Sequence, residues 1–316
     1  MRLRDFAPGD LAEGIHGPSH EGTGWGPRGG GDGWQRTLVA EDCGDVLGMG
    51  TMLVSNVHRE SYYCEVQVEP EARREGVGRA LFDALLACTP TPYPVLTRAM
   101  SSQPAREAFA RAMGFEVLMR CPSPQLHPSS LATAHWIEQH PVPPGVRVVP
   151  ASERSYEEFL DAWVDLYVWI HEEWSPTVDR AIVHQLFAAS GMAEVDFELT
   201  RVAIVDGRIA ALACVLPDPW DNRSFLVTET VRRRLGNGTD ILAATIGSAL
   251  QACAERGITF VEFDGHVVDP HYYPLAQTLP ITGSDPLLVM RHPGRNGAER
   301  SSADLRRPVL AGDQLR

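Results

Sequence analysis

The chain has 316 residues, of which 44% are hydrophobic and 22% are charged, as in a folded globular protein with room for two domains. It has no apolar run of the ~18 residues that a membrane span needs, and its first residues, MRLRDFAPGD, lack the apolar core of a signal peptide. We therefore expect a cytoplasmic protein with no membrane partner. The formal net charge of -13 argues against a nucleic-acid partner and favours a cationic or amine-bearing ligand.

The first 121 residues predict strands and helices in the order β-α-β-β-β-α-β-α-β. RLRDF is a short strand, LAE begins a helix, and the glycine-rich residues 21–33 form a loop. TLVAED and VLGMGTMLVS form a hairpin, which SYYCEVQVEP follows as a further strand. Apolar residues at i, i+3, i+4 and i+7 then predict an amphipathic helix over 78–88.

The remainder of the chain predicts a second domain with the same order of elements. Residues 122–144 are rich in proline and predict a linker with a short helical piece. Residues 145–293 predict the second domain, and the polar, glycine-rich residues 294–316 predict a disordered tail. The six cysteines are scattered without a CxxC pair, so we expect free thiols and no metal site.

Two similar turns between a strand and a helix suggest an internal repeat. The first reads Arg73-x-x-Gly76-x-Gly78, and the second has the same spacing at 233–238. Glycines in such a turn let backbone N–H groups point into one small space at the positive end of the helix dipole, where phosphates bind. A nucleoside triphosphatase loop would need a lysine, which this chain lacks, and a dinucleotide fingerprint would need glycine at Leu81.

The segment VQVEPEARREGVGRALFDALL (66–86) resembles the acyl-CoA motif of the GNAT superfamily of N-acyltransferases, and the pair Gly114-Phe115 follows where that family usually has it. The resemblance covers residues 1–121 and, more faintly, 145–292. It implies an α/β (α+β) fold of two tandem GNAT-like domains, each a mixed, mostly antiparallel sheet flanked by helices.

The resemblance also implies acetyl-CoA, or another acyl-CoA, as donor substrate and no metal. In the first domain, which has the better motif, it implies that the donor is held by Val66, Gln67, Val68, Arg73, Arg74, Glu75, Gly76, Val77, Gly78 and Arg79. The equivalent set in the second domain is Val231, Arg233, Gly236, Asn237 and Gly238.

The residues that would carry out the chemistry are less regular. The family often has a carboxylate as base where this chain has Tyr62, and a tyrosine as thiolate acid where it has Ala110. Glu65, on the same strand, is a candidate substitute for the base, but the favoured interpretation is a solvent-facing strand residue. The catalytic candidates are Tyr62, Tyr63, Glu229, His266 and Tyr273.

The helix end YVWIHEEWSP supplies candidates for acceptor binding. Aromatic faces beside carboxylates suit an ammonium group, and the alternative is a solvated helix end with packed tryptophans. The candidate residues are Trp169, Glu172, Glu173 and Trp174.

These features predict an N-acetyltransferase that moves an acetyl or other acyl group from acyl-CoA to the amine of a small molecule, such as a metabolite or an antibiotic. Since the first domain lacks both usual catalytic groups, a non-catalytic acyl-CoA-binding or scaffold protein is the alternative, and a protein-amine acetyltransferase is another. We expect a monomer, with its two domains as a pseudo-dimer, or a homodimer.

Overall fold

The structure, a computed structural model, describes residues 1–7, 10, 33–58, 60–190, 192–218 and 222–295. The predicted helix at LAE, nearly all of the glycine-rich loop and the predicted tail from residue 296 onward lie outside these residues. The described chain divides into two units. The first contains Met1–Ala99, Gln103–Leu118 and the segment from Val289, and the second contains Met100–Ser102 and Met119–Leu288.

The elements alternate along the chain much as the hydrophobic pattern predicts. Those up to residue 121 are β1 (Arg2–Asp5), β2 (Gln35–Asp42), β3 (Asp45–Val54), β4 (Tyr62–Val68), α1 (Val77–Cys88), β5 (Val95–Met100), α2 (Pro104–Ala112) and β6 (Glu116–Cys121). Those that follow are β7 (Pro124–Leu126), α3 (Leu131–Gln139), β8 (Arg147–Pro150), α4 (Tyr156–His171), α5 (Arg180–Ser190), β9 (Arg201–Val205), β10 (Arg208–Pro217), β11 (Arg223–Thr230), α6 (Gly238–Arg256), β12 (Phe260–Asp264), α7 (Tyr272–Ala276), β13 (Gly283–Ser284) and β14 (Leu287–His292).

The first unit is built on a seven-stranded sheet of order β1-β2-β3-β4-β5-β14-β6. Strands β1 to β4 are antiparallel, whereas β4 and β5 are parallel. Helix α1 buries Leu81 and Leu85 against this sheet at Gly50, where a β-carbon would lie 2.8 Å from Leu85. This close packing fixes the start of α1 beside the end of β4.

The second unit repeats the arrangement in a sheet of order β13-β7-β12-β11-β10-β9-β8. Strands β8 to β11 are antiparallel, and β11 and β12 are parallel. Helix α4 begins with a capping box in which Ser155 and Glu158 satisfy each other's backbone N–H groups. Helix α6 is buried along most of its length in the core of this unit. Both sheets are mixed and flanked by helices, as the sequence predicts.

The division into units differs from the predicted domain boundaries at two places. The predicted linker carries β7 and α3, which belong to the second unit, where the indole of Trp136 is buried and donates to Thr278 Oγ1 at 3.1 Å. Strand β14, predicted to close the second domain, lies in the first sheet. Hydrophobic alternation predicts that a segment is a strand, but its partner strand is far away in sequence and leaves no local signal.

Within the described residues, no helix combines the length and the apolar composition that a membrane span requires. The same residues contain no cluster of three or more His, Cys, Asp or Glu side chains placed to hold a metal ion. All six cysteines are free thiols; Cys43 and Cys88 are exposed and the other four are buried.

Candidate functional site

The parallel strands β4 and β5 of the first unit separate after two paired residues. Tyr62 pairs with Val95 and Tyr63 with Leu96, and beyond these pairs β4 continues to Val68 without β5 beside it. Tyr62 N donates to Pro94 O at 2.9 Å, on the β5 side. Because backbone groups alternate along a strand, those of Val66 and Val68 also point to this side, where β4 presents an open edge.

The open edge leads into the turn that precedes α1. Gly76 at the N-cap is left-handed, with φ of +87°, and Arg74 two residues earlier has φ of +71°. A β-carbon on Gly76 would meet no described atom within 4 Å, so the backbone conformation, not lack of space, calls for glycine. No described side chain caps α1, which leaves the N–H groups of its first turn directed outward at the positive end of the helix dipole.

Gly78, the second glycine of the motif, has a different role. A β-carbon there would lie 2.9 Å from the ring of Phe109 and 3.4 Å from Val68, so Gly78 allows α1, α2 and β4 to pack closely. The arginines beside the turn are partly engaged: Arg73 Nε donates to Val68 O at 3.0 Å, and Arg79 Nη2 donates to Ala112 O at 3.1 Å. Glu75 and Arg74 are exposed.

A solvent-open cleft of about 290 Å³ lies where β4 and β5 separate, and Tyr63, Glu65, Leu96, Arg98 and Arg106 are among the residues that line it. Glu65 is only 9% exposed and accepts a hydrogen bond from Arg106 Nη2, so the interpretation as a solvent-facing residue is wrong. Burial raises the pKa of Glu65 above its ordinary value, and the charge of Arg106 opposes this rise.

The two adjacent tyrosines of β4 occupy different environments. Tyr62 is fully buried, and its hydroxyl lies 2.6 Å from Thr91 Oγ1 and accepts from Thr91 N at 3.1 Å. With its hydroxyl committed to Thr91, Tyr62 is not placed to serve as the catalytic candidate that the sequence suggested. Tyr63 lines the cleft.

In the second unit the corresponding strand edge is closed. Strands β11 and β12 pair from Arg223 and Phe260 as far as Val227 and Asp264. Beyond this point Thr230 N donates to Asp269 Oδ2 at 2.9 Å, and Trp169 Nε1 donates to Thr230 O at 3.1 Å. Both backbone groups of Thr230 are therefore already satisfied within the unit.

The turn before α6 also differs from its counterpart before α1. Its left-handed N-cap is Asn237, with φ of +54°, so Asn237 corresponds to Gly76, one position later than the sequence repeat suggests. A β-carbon on Gly238 would lie 2.6 Å from the ring of His271, which packs against the first residue of α6. The connection from β11 to α6 is one residue shorter than that from β4 to α1.

Val231 and Arg233, which were predicted to hold acyl-CoA in the second unit, already contact other residues of that unit. Val231 is buried in the core, and its N–H donates to Ala210 O at 2.9 Å. Arg233 Nη1 donates to Glu173 Oε1 at 2.7 Å, and its guanidinium lies 5.8 Å from the centre of the Trp169 ring. Glu173 and Trp169, predicted to face an ammonium ligand, thus contact an arginine of the same unit.

Two predicted catalytic residues of the second unit meet directly. Both the backbone N–H and Nδ1 of His266 lie against Glu229 Oε1, at 3.0 and 2.5 Å. Since Nδ1 is the nitrogen that faces the carboxylate, we assign it the proton, which makes Nε2 the basic nitrogen. Burial raises the pKa of Glu229, whose side chain is 1% exposed, and His266 opposes this rise.

The surroundings of His266 are aromatic. Its ring centre lies 5.2 Å from that of His171 and 5.8 Å from that of Trp174, whose indole donates to Ile170 O at 3.0 Å. Trp174 is therefore brought to the Glu229–His266 pair, whereas Glu172 is exposed. Tyr273 is half-buried one residue beyond the fully buried Tyr272.

Residues 33–117, from just before β2 to the start of β6, match the family model of the acetyltransferase (GNAT) domain. This segment is therefore similar to the GNAT family of acetyltransferases. That family catalyses acyl transfer with acetyl-CoA as donor. No curated protein sequence matches the chain significantly.

Solved structures of GNAT proteins resemble the chain over most of its length. A tandem GNAT protein from the clavulanic acid biosynthesis pathway, solved without AcCoA, is 16% identical with a TM-score of 0.56, and the match covers 83% of this chain and 84% of that one. A GCN5-related N-acetyltransferase from Sphaerobacter thermophilus is 14% identical with a TM-score of 0.55, covering 82% and 80%. At this identity the two likenesses establish the fold.

The sequence alone did not indicate that Arg98 and Arg106 line the cleft. Glu65 lies two residues after Tyr63 on β4, and Arg98 lies two residues after Leu96, the partner of Tyr63, on β5. Both side chains therefore belong to one face of the sheet. The alternation was readable in the sequence, but the register between two strands joined by a helix was not.

Proposed function

We propose that the chain transfers an acyl group, most simply acetyl, from acyl-CoA to the amine of a small molecule, and that the donor binds to the first unit. The observation that carries this proposal is the open edge of β4, which ends at the left-handed turn of Gly76 and the uncapped start of α1. The second unit lacks such an edge at Thr230, where Asp269 and Trp169 satisfy both backbone groups.

The residues of this region fit a CoA thioester. The pantetheine arm contains amides, which can pair with the backbone groups of Val66 and with the N–H of Val68 as an added strand would. Val68 O already accepts from Arg73 Nε. The pyrophosphate is an anion and suits the N–H groups at the start of α1, next to the exposed Arg74. The cleft between β4 and β5 then lies beyond the end of the arm that carries the acyl group.

Within the cleft, we assign proton transfer to Glu65 and Tyr63. The amine must lose a proton before it attacks the thioester, and the departing thiolate must gain one. Glu65 is the carboxylate of the cleft, and its raised pKa makes it a stronger base than an exposed glutamate. Tyr63, on the same face of β4, carries the hydroxyl that can protonate the thiolate.

The second unit is the other candidate for catalysis, because the buried Glu229 pairs with the half-buried His266 at the carboxyl ends of β11 and β12. A carboxylate that holds the Nδ1 proton of a histidine leaves Nε2 to act as a base. Replacing Glu65 or His266 by Gln separates the candidates. We expect Glu65→Gln to lower kcat; a loss confined to His266→Gln would move catalysis to the second unit.

The acceptor class is inferred from the charge of the chain and from one structural likeness. The net charge of -13 suits an amine. One structure with the same fold, a glucosamine N-acetyltransferase region of a fungal multi-domain enzyme, is named for an amino sugar; it is 13% identical with a TM-score of 0.54, and the match covers 82% of this chain and 33% of that one. We infer a small-molecule amine as the acceptor.

Incubation with acetyl-CoA and a panel of amines, followed by mass spectrometry, tests the proposal. We expect an acetylated product and one equivalent of CoA bound per chain by calorimetry. Binding of CoA without release of its thiol, whichever amine is present, would identify a non-catalytic acyl-CoA-binding protein instead. Acetylation of a protein substrate but of no small amine would favour a protein-amine acetyltransferase.

A further inference from the structure

Three charged side chains surround the cleft of the first unit, and their charges do not balance. Glu65 on β4 contributes one carboxylate, and Arg98 on β5 and Arg106 on α2 contribute two guanidinium groups. Glu65 pairs with Arg106. No ion pair links Arg98 to any residue that the structure describes. The cleft therefore has an excess of positive charge although the chain as a whole is acidic.

Arg98 also carries a buried donor that lacks an acceptor. Its Nε is excluded from solvent, and none of the described residues accepts a hydrogen bond from it. Leaving a buried donor of a charged group unsatisfied is costly, and such groups normally have a partner. Arg98 lies on β5 beyond the last residue that pairs with β4, where the two strands have separated.

We propose that Arg98 and Arg106 bind a carboxylate, and that the acceptor is an amine that also carries one, as an amino acid does. The inference rests on the proposed acyl transfer and names the acceptor class for the same cleft. A guanidinium presents N–H donors in a planar fork that matches the two oxygens of a carboxylate. A carboxylate in the cleft would pair with the guanidinium groups of Arg98 and Arg106 and would balance the excess charge.

The carboxylate of Glu65 suits the ammonium group of such an acceptor. Glu65 lies on the same face of the sheet as Arg98, on the opposite side of the separation between the strands. An amino acid has its ammonium close to its carboxylate, so the ammonium would face Glu65 while the carboxylate faces the arginines.

The carboxylate has one other possible source, because the acyl group of a dicarboxylic monoacyl-CoA also ends in a carboxylate. The two sources are distinguished by the donor and the acceptor separately. An acceptor carboxylate makes the enzyme favour an amino acid over its amide with acetyl-CoA as donor. A donor carboxylate makes it favour succinyl-CoA over acetyl-CoA with an acceptor that has no carboxylate.

The experiment measures binding and turnover in the full chain. Calorimetry in the presence of CoA compares the standard L-amino acids with their α-amides, and thiol release from acetyl-CoA is followed for the same panel. The variant is Arg98→Met, which keeps the length of the side chain and removes its donors. The matched control is Arg111→Met, on α2 but outside the cleft, where the arginine is exposed and pairs with Glu107.

We expect at least one amino acid to bind tenfold or more tightly than its amide, and Arg98→Met to abolish this preference while Arg111→Met keeps it. Should Arg98→Met fold poorly, Arg98→Lys retains the charge without the fork and is expected to reduce the preference. Amides that bind and react as well as the amino acids would overturn the inference and leave acyl transfer intact. Arg98-dependent binding without thiol release would overturn acyl transfer and leave the carboxylate site intact. A preference for succinyl-CoA alone would overturn the assignment to the acceptor.

Discussion

The two units place a parallel pair of strands at the same point in their sheets, and the pairs differ in what happens where they part. Beyond Tyr63 the edge of β4 is open and lined by a cleft. Beyond Val227 the edge of β11 is closed by Asp269 and Trp169, which bind the N–H and C=O of Thr230. One fold therefore offers a binding edge in one unit and satisfies the same edge internally in the other.

The contrast extends to the helix starts. In the first unit the turn before α1 is largely exposed, and no side chain among the described residues caps the helix. In the second unit the ring of His271 packs on Gly238, and Arg233 is held between Glu173 and Trp169. A few side chains are enough to convert an anion site into a packed helix start, since Gly76 and Asn237 are both left-handed N-caps.

The comparison between the two helix starts is tested most strongly by a negative charge at the start of α1, where we expect the largest loss of CoA affinity. Gly76→Asp places a carboxylate where the pyrophosphate is proposed to bind, and we expect roughly 100-fold weaker CoA binding by calorimetry. Gly76→Asn is the matched control, because asparagine tolerates the left-handed conformation and adds no charge. We expect it to bind within about tenfold of the wild type.

The same charge in the second unit tests whether that unit contributes. Asn237→Asp changes the equivalent N-cap, and Gly236→Ala tests the glycine that the sequence repeat aligned with Gly76. Gly236 has no positive φ and no described atom within 4 Å of a β-carbon, so alanine fits there. Neither substitution is expected to weaken CoA binding; a loss as large as that of Gly76→Asp would place the donor in the second unit.

Replacing Asp269, the carboxylate that closes the edge of β11, is expected to have the next largest effect, a loss of stability. Asp269 is fully buried and accepts from the backbone N–H groups of Thr230 and His271 at 2.9 and 2.8 Å. Asp269→Asn leaves only one oxygen for these donors and should lower the free energy of unfolding by about 2 kcal/mol. Faster hydrogen exchange at Thr230 with unchanged exchange in β4 would show that the loss of stability arises at the closed edge of β11. Asp264→Asn, at the exposed end of β12, is the control.

Much of the fold was predictable because its signals are local. The periodicity of α1 and the hairpin of TLVAED with VLGMGTMLVS each depend on neighbouring residues, and the structure confirms these elements. The placement of β14 in the first sheet was not predictable, because its partners β5 and β6 lie more than 160 residues away.

The candidate site was predictable only in part for the same reason. The turn at Gly76 could be recognised from its glycine spacing, but Gly78 has the same spacing signal and a packing role instead. The contact between Glu229 and His266 joins two strand ends, and the cleft joins β4, β5 and α2. Such contacts depend on register and helix orientation, which a single sequence does not encode in any one segment.

A smaller effect tests the ion pair of the open cleft. Arg106→Met leaves Glu65 buried without a partner and should raise its pKa further. A raised pKa in the folded state means that stability falls as pH rises above the ordinary glutamate value of 4.5, so the variant should lose more at pH 7 than at pH 4. Since Arg106 is 36% exposed, we expect about 1–2 kcal/mol at pH 7, less than for a fully buried pair.

Denaturant unfolding at both pH values measures this difference. The double variant Arg106→Met with Glu65→Gln serves as its control, because the neutral amide has no charge to bury. We expect the loss of stability in the double variant to be the same at pH 4 and at pH 7. Equal losses at pH 4 and pH 7 in the single variant would show that Glu65 does not carry the effect.

The smallest expected effect separates the two glycines of the first turn. In Gly78→Ala the new β-carbon would lie 2.9 Å from Phe109, whose ring must shift, and we expect a loss of about 1 kcal/mol in stability. CoA affinity should stay near that of the wild type, because Gly78 is buried under α2 and its N–H remains in place. The combination with Phe109→Leu should recover part of the loss by making room. A fall in CoA affinity like that of Gly76→Asp, without a fall in stability, would mean that both glycines form the anion site and that the division of roles between them is wrong.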